Sequence, residues 1–546
     1  MPTLKWIGKD KVINYHNEVP FRLLKENKSL SVNSNETENL LIKGDNLEAL
    51  KALLPYYYNK IKVIYIDPPY NTGNEGWIYN DNVNAPEIKK WLGKVVGGEA
   101  EDLSRHDKWL CMMYPRLKLL RELLSEDGVF FVSIDDKEVS HLRLVMDEVF
   151  GEQNFLAIMT WRAMHTVRNS SKDFNQNTEY VLAFANSKGT LIRAGDDKTY
   201  LRYPADKLGA YIYDDNDGNG PYKLDPLHSR NYYTPYEYKF KNGVIWKAPK
   251  GTYPRYSPQR LSVMEQNGQV VFEGDKLKKK DGAVIVHTGK TPLAKRYFKD
   301  VREGVPPSTL LPSELVGFSK DGTAEMMKIF GDKVFQQPKP TSLIKFLLGI
   351  HRKIDSDDYL VLDSFAGTGT TAHAVLALNK EDGGNRKFIL VEMDANIAET
   401  ITAERLKRVI QGYSYRKSNG ETAEVEGLGG GFKFLELGNP LFDKHKHIIG
   451  EPSYEDLAGY IYFTETRCTI DWGKASRDDW YVGENSGIHH FIIYGDKSDL
   501  DDGFLEIARR YQGKKVVYAE AVMMDDDELE RFNITFRQIP YEIRTF

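Results

Sequence analysis

The strongest constraint on this chain is a repeated alternation. Short apolar segments end in sharp turns and are followed by segments with apolar residues at helical spacing. Ile61-Lys-Val-Ile-Tyr-Ile66 is one such segment, and it stops at Asp67-Pro-Pro-Tyr70. Two prolines cannot continue a hydrogen-bonded ladder, so Asp67 stands at the C-terminal edge of a strand. Tyr359-Leu-Val-Leu-Asp363 is another, running into the glycine-rich turn Phe365-Ala-Gly-Thr-Gly-Thr370, which opens a helix through Leu378. Further strands are expected at 129–134 and 387–392, with a pair flanking Trp161 and 180–184. Helices are expected at 47–54 behind an Asp45-Asn46 cap, at 109–124, from an Asp135-Asp136 cap to about Phe150, from Ser342 to about Arg352, and at 397–411. This pattern implies one parallel α/β sheet with helices on both faces. In such sheets ligands bind at the C-terminal ends of strands, where both unusual turns fall.

From about 187 to 335 the texture changes: prolines, glycines and tyrosines are frequent and helical periods scarce. The expected organisation is a loosely structured lead-in over 1–40, a sheet half over 41–186, an inserted domain over 187–335, a second sheet half over 336–426, and a C-terminal α+β region over 427–546. A linker is expected at Gly427–Gly431. The net charge of −5 hides an asymmetry. Residues 191–310 hold 21 Lys and Arg against 14 Asp and Glu, together with 12 of the 32 tyrosines. A basic, aromatic insertion is the electrostatic footprint of nucleic-acid contact, and equally fits a solvated surface. Arg230, Lys247, Lys250, Arg255, Arg260 and Lys278-Lys-Lys280 are its candidate phosphate or guanine contacts, whereas Tyr232, Tyr233 and Trp246 read as core. With only Cys111 and Cys468, a disulfide scaffold or a Cys-rich zinc site is excluded, and the reducing cytoplasm is the expected compartment. No apolar run approaches the roughly 18 residues of a membrane span, so no membrane partner is expected.

Two motifs carry chemistry. In the glycine turn, backbone can approach a ligand closely. Glu392 ends the next strand 23 positions after Gly369, which suits an acceptor for a ribose diol. No Lys follows the glycines, and full GxGxxG spacing is missing. An adenosine-containing ligand without a pyrophosphate therefore fits better than a nucleoside triphosphate or a dinucleotide. In Asp67-Pro-Pro-Tyr70 a carboxylate, a proline carbonyl and an aromatic ring come together. Asp67 and the Pro68 C=O can each accept a hydrogen bond from an exocyclic NH2 while Tyr70 stacks on the ring, a pocket for a planar amino-heterocycle.

Together the motifs resemble the β class of S-adenosylmethionine-dependent DNA adenine N6-methyltransferases, in which the catalytic motif precedes the cofactor loop and a variable segment lies between them. Gly44-Asp-Asn46 and Asp67-Pro-Pro-Tyr-Asn-Thr-Gly73 look like the Mod subunit of type III restriction–modification systems. So do Gln337-Pro-Lys-Pro340, Gly429-Gly-Gly-Phe-Lys433 and Ile534-Thr-Phe-Arg-Gln-Ile-Pro-Tyr541. The resemblance covers roughly 40–186 and 336–546. It implies a Rossmann-like methyltransferase sheet with permuted motif order and an inserted target-recognition domain. It also implies S-adenosylmethionine as cofactor and double-stranded DNA as substrate, with a homodimer and a nuclease-bearing Res subunit as partners. Asp67, Pro68, Pro69 and Tyr70 would be catalytic. Asp363, Phe365, Ala366, Gly367, Thr368, Gly369 and Glu392 would border the cofactor, joined by Lys339 and Pro340. Asp45 is either a cofactor contact or a helix cap. A sulfonium is already an activated leaving group, so no metal is required.

Asp215-Asn-Asp-Gly-Asn-Gly220 begins like a calcium loop, but its twelfth position is Pro226, so a tight turn is expected. His445, His447, His489 and His490 follow no metal-ligand spacing. Three readings stay open: an adenine methyltransferase of DNA, as a type III subunit or a solitary relative; the same chemistry on cytosine N4 or an RNA adenine; and a non-catalytic DNA-binding subunit. Asp67 leans to adenine, because cytosine N4 enzymes more often resemble Ser-Pro-Pro-Tyr. Intact Asp67 and Glu392 argue against the third.

Overall fold

The computed structural model describes residues 4–71, 105–166, 174–193, 211–300, 306–350, 358–417, 419–443, 445 and 447–543. Thr72-Gly73 of the extended motif and the expected helix end near Arg352 lie outside them. The chain divides into two compact units, one of residues 1–201 with 307–546, the other Arg202–Pro306.

The larger unit is built on a nine-stranded sheet. Its strands in chain order are β1 (Arg22–Glu26), β2 (Leu40–Lys43), β3 (Ile61–Ile66), β4 (Leu124–Ile134), β5 (Phe155–Trp161), β6 (Glu179–Ala185), β7 (Leu360–Asp363), β8 (Lys387–Glu392) and β9 (Lys433–Pro440). Across the sheet the order is β1-β9-β2-β8-β7-β3-β4-β6-β5. The inner strands, from β9 to β4, run parallel. Antiparallel β1 closes one edge, and β6 with β5 closes the other.

Helices connect the parallel strands: α1 (Asn46–Tyr57), α2 (Arg105–Leu123), α3 (Val139–Phe150), α4 (Ser319–Phe330), α5 (Thr341–Ile350), α6 (Thr370–Asp382) and α7 (Ala403–Gln411). Leu47, Leu50 and Leu54 of α1 and Leu117 and Leu120 of α2 recur at three- and four-residue spacing. They bury one apolar stripe each in a single cluster with Ile64 and Ile66 of β3. The intervening Val63 and Tyr65, also buried, face the other side by the two-residue strand period. Pro115 interrupts the α2 ladder, and the Arg116 guanidinium donates to the Met112 carbonyl at 2.7 Å.

Several expectations are corrected. Residues before 40 are not a loose lead-in: Val12 and Val19 are buried in the main cluster, and β1 is a sheet edge. The separate unit is shorter than 187–335, because 307–335 belongs with the sheet, where Thr160 N donates to Thr309 O at 2.7 Å. Gly427–Gly431 is a packed crossing and not a flexible linker. A Cβ on Gly427 would lie 2.4 Å from Ile410 O and one on Gly431 2.5 Å from Val32 O. Past it, β9 enters the main sheet beside β2. Helix α3 starts at Val139 and is not capped by Asp135 or Asp136; Glu138 occupies the cap position and Asp135 instead closes a turn onto Lys137 N. The end of the chain adds α8 (Tyr454–Thr466), packed on α1, and a four-stranded sheet of β10 (Tyr481–Asn485), β11 (Ile488–Ile492), β12 (Lys514–Ala519) and β13 (Ile534–Gln538).

The smaller unit is irregular, with short antiparallel strands such as Tyr222–Pro226 paired with Leu293–Tyr297. Its core gathers Leu227, Phe240, Trp246, Leu261 and Met264. The acidic loop at 215–220 is a turn. Asp217 Oδ1 accepts from Asn219 N at 2.9 Å, while Asp215 accepts from the Tyr222 hydroxyl and pairs with Lys295. Among the described residues no helix is long and apolar enough to cross a membrane.

Candidate active site

The glycine turn and the proline turn leave neighbouring parallel strands, with Leu362 opposite Ile64. Their C-terminal ends therefore open into one cleft. It is lined by Tyr65 and Asp67 on one side and by Asp363, Phe365, Ala366, Gly367 and Thr368 on the other, with Lys339 of the 337–340 segment between them. Pro340, Gly369 and Glu392 are not among the lining residues.

The glycine turn is held by its own side chains and by groups that the end of β8, the turn at 397–402 and α7 bring against it. Gly367 (φ 52°) and Gly369 (φ 76°) take left-handed conformations that a side chain resists, and a Cβ on Gly369 would meet the Thr402 methyl at 3.0 Å. Glu392 is buried, and its two oxygens accept from Gly367 N at 2.8 Å and Asp394 N at 2.9 Å. Burial pushes its carboxyl up to about 8 although those N–H groups pull the other way. Asp363 accepts from Phe365 N and from the Thr371 hydroxyl, so it fixes the loop, and burial raises it to about 7. Thr402 ends a π-helical turn (Ile397–Thr402) and gives its hydroxyl to Gly367 O at 2.5 Å. Arg405 on α7 is fully buried and binds the Thr368 and Thr370 hydroxyls at 2.8 and 2.9 Å and Thr341 of α5 at 3.1 Å. Asp45 caps α1 through Leu47 N at 2.8 Å. Its neighbour Asn46 bridges Arg116 Nε and the Ser364 carbonyl, and so ties the start of α1 to α2 and to the glycine turn.

The proline turn is different in kind. Lys339 Nζ donates to Asp67 Oδ2 at 2.8 Å and lies 3.4 Å from Glu179 Oε2 on β6. Burial alone would lower this ammonium, but the two carboxylates beside it hold it above its ordinary value. The same cation sits 4.7 Å over the Tyr70 ring. Tyr70 donates its hydroxyl to Glu179 at 3.0 Å, and burial sends its phenol well above the usual range. Asp67 Oδ1 is buried and accepts no hydrogen bond from the described residues. The Pro69 carbonyl accepts from Trp109 Nε1 at 2.6 Å. Phe365 packs against the main cluster from the other turn.

Glu179, Arg405 and Trp109 are not singled out by the sequence, and Asn46 is singled out only through its motif. Glu179 opens a strand with no motif around it, and Arg405 lies in an ordinary amphipathic helix. Only Asn46, in Gly44-Asp-Asn46, carries a local signal. Nor does the sequence foretell the grouping of His106, Glu138 and His141, the one His/Cys/Asp/Glu cluster of metal-ligand type among the described residues. Its Nδ1–oxygen separations are 2.6 and 2.9 Å. Those are hydrogen bonds, since ligands around a tetrahedral zinc stand about 3.3 Å apart. His489 binds Gln512 O instead of a metal-ligand set, and His490 is buried, where burial lowers it to about 4.

In the smaller unit, Tyr232 and Tyr233 are 76% and 41% exposed, against the expectation of core, while Trp246 is buried. The two tyrosines share a concavity with Arg255, Arg260 and Arg296. Asp225 pairs with Arg255 and Arg296, and Lys247 pairs with Glu237.

Comparison with known proteins agrees with this geometry. A family profile described as DNA methylase matches residues 61–404, from the start of β3 into α7. The chain is 33% identical over 394 residues to the Mod subunit of the type III restriction-modification enzyme StyLTI of Salmonella typhimurium, covering 70% of this chain and 56% of that one. It is 33% identical to the EcoPI Mod subunit of Escherichia phage P1, covering 74% and 65%. It is 30% identical to the type II methyltransferase M.KpnI of Klebsiella pneumoniae, covering 69% of this chain and 85% of the relative. The chain thus spans less than two thirds of the two Mod subunits. Since the profile takes in both turns and the 337–340 segment, the chain belongs to the DNA methylase family.

Proposed function

We propose that this chain transfers a methyl group from S-adenosylmethionine to N6 of an adenine extruded from duplex DNA, as the modification and recognition subunit of a type III restriction–modification system. One observation carries the reading. Asp67 has one oxygen committed to Lys339 and the other, Oδ1, buried at a strand end without a donor among the described residues. An exocyclic amino hydrogen is the donor such an oxygen requires.

The cofactor fits the adjoining turn. Left-handed glycines leave Gly367 and Gly369 without a Cβ toward a ligand, and the Ser364 hydroxyl is buried without a partner among the described residues. When bound, S-adenosylmethionine supplies a methyl on a positively charged sulfur. Phe365, Ala366, Gly367 and Thr368 border it in this reading, Asp363 and Gly369 shape the turn, and Lys339 and Pro340 close the rim. Glu392 takes the ribose hydroxyls, each carboxylate oxygen being able to accept more than one bond. Asp45 serves through its cap.

The chain's own residues do the rest. Asp67 Oδ1 and the Pro68 carbonyl accept hydrogen bonds from the two amino hydrogens, which localises the nitrogen lone pair and aims it across the cleft; as the N–CH3 bond forms the S–CH3 bond breaks, giving S-adenosylhomocysteine, and one amino proton is released to solvent. Pro69 keeps the turn rigid, and its carbonyl is tied to Trp109. Lys339 holds Oδ2, so that Oδ1 faces the base. Extruding a base costs a few kcal/mol, which stacking on Tyr70 offsets in part. Arg260, Arg296, Tyr232 and Tyr233 of the smaller unit are the surface we assign to DNA recognition. A second copy of the chain and a nuclease-bearing Res subunit are the partners suggested by the type III relatives.

Tritiated-methyl transfer to duplex DNA tests the reading. Label is expected in N6-methyladenine and falls about 10²–10³-fold in Asp67→Ala, with cofactor binding retained. Label in cytosine, label only in RNA, no label, or an undiminished rate in the variant would each overturn it.

A further inference from the structure

The turn that carries Asp67 is pinned from behind by a buried carboxylate. Asn71 follows the proline turn with φ 58°, is fully buried, and donates its side-chain amide to Arg105 O at 3.2 Å and to Glu138 Oε1 at 2.5 Å. A left-handed asparagine inside a protein is strained unless its surroundings fix it. Glu138 supplies the fixing: it is 0% exposed, between β4 and α3, and both of its oxygens are used. Oε1 also takes His106 Nδ1 at 2.6 Å, from the first turn of α2, and Oε2 takes His141 Nδ1 at 2.9 Å, from the first turn of α3. Three segments that start at the C-terminal edge of the sheet therefore meet on one carboxylate.

We propose that Glu138 is a positioning residue for methyl transfer. Clasped by His106 and His141, it holds the Asn71 amide, and through it the proline turn, in the register that aims Asp67 Oδ1 at the base. This rests on the reading of Asp67 given above. Asn71 stands four residues beyond Asp67 on a turn anchored at both Pro69 O and Asn71, so a shift of about 1 Å at the clasp reaches the reacting atoms. A misplacement of that size costs about a hundredfold in rate.

A reciprocal pair of substitutions tests it. Asn71→Asp sets a second carboxylate against Glu138, and single-turnover methyl transfer is expected to fall about a hundredfold, with cofactor Kd unchanged. Glu138→Gln alone keeps an acceptor for Asn71 and can donate to a tautomer of His141, so its loss stays within about threefold. In the double variant the amide introduced at position 138 donates to the carboxylate introduced at position 71, and the rate recovers at least about tenfold over Asn71→Asp alone. A wild-type rate in Asn71→Asp, or a double variant no faster than Asn71→Asp while both melt near wild type, would overturn the proposal. A stoichiometric divalent ion bound by the purified protein and lost in His141→Ala would overturn it too, because the group would then be a metal site. If the wild-type chain methylates no DNA, the methyltransferase reading fails by itself. The clasp is then read from thermal melts of the same cycle, where recovery of Tm in the double variant supports it and additive losses refute it.

Discussion

The two turns at the heart of the larger unit leave adjacent parallel strands yet are built on opposite principles. The glycine turn is satisfied along its backbone: Glu392, Asp363 and Thr402 meet its backbone, Thr371 and Arg405 meet its other side chains, the Ser364 hydroxyl alone is left without a partner among the described residues, and the glycines give the chain room to fold back. The proline turn is left incomplete at its tip. Asp67 Oδ1 has no donor among the described residues, and the residues around it, Lys339 and Glu179, arrive from segments remote in sequence. A cradle is pre-organised by satisfying its own backbone, whereas a reactive end must keep one strong acceptor in reserve.

The contrast can be broken from either side. The largest effect is expected at Asp67→Ala, which removes the reserved acceptor and leaves the cradle, so transfer collapses while isothermal titration still registers the cofactor. Next comes Lys339→Met. It strips the cation from a buried pair of carboxylates, and the rate is expected to fall about 10–100-fold in single-turnover assays, with little change in cofactor Kd. Equal losses in rate and cofactor affinity would instead tie Lys339 to the cradle. Arg405→Ala strikes the cradle. Taking one donor from each of the buried hydroxyls of Thr368, Thr370 and Thr341, which keep their bonds to one another, to Lys339 O and to Glu325, is expected to cost about 2–3 kcal/mol in chemical denaturation and to weaken the cofactor more than it slows the chemistry.

The smallest effect concerns pH. The Asp363 carboxyl has its folded value raised from 3.8 to about 7, chiefly by burial. The unfolded chain therefore releases this proton first. The group's contribution to stability is complete below about 4 and is lost as pH climbs through about 7. Asp363→Asn can keep both bonds, accepting from Phe365 N and donating to the Thr371 hydroxyl. Melting temperatures recorded from pH 5 to 8 are expected to decline less steeply in this variant than in wild type, and equal slopes would refute the argument.

Strands β3 to β8 and both turns are legible in the sequence, because proline and glycine act locally and apolar periods survive in any context, whereas β1, β2 and β9 are not. The Gln337-Pro-Lys-Pro340 motif marks Lys339 as a candidate site residue, but the ion pair with Asp67 is not visible in it. That pair depends on how a segment 272 positions away crosses the cleft. Glu179 and Arg405 are silent for the same reason: a buried charge is explained by what faces it, and what faces it is set by topology. The region before residue 40 reads as loose because an edge strand needs only one apolar face and shows little pattern. Tyr232 and Tyr233 read as core because an aromatic ring looks alike whether it fills an interior or waits on a surface.

Strand β7 slots between β8 and β3 after the whole insertion has been traversed. During synthesis the first half of the sheet therefore emerges with the inner edge of β3 bare, and it stays bare until residues near 363 leave the ribosome. Contacts of such long range form late and slowly. A chain cut anywhere in the insertion would carry Asp67 without its neighbouring turn and would expose a hydrophobic strand edge prone to aggregation.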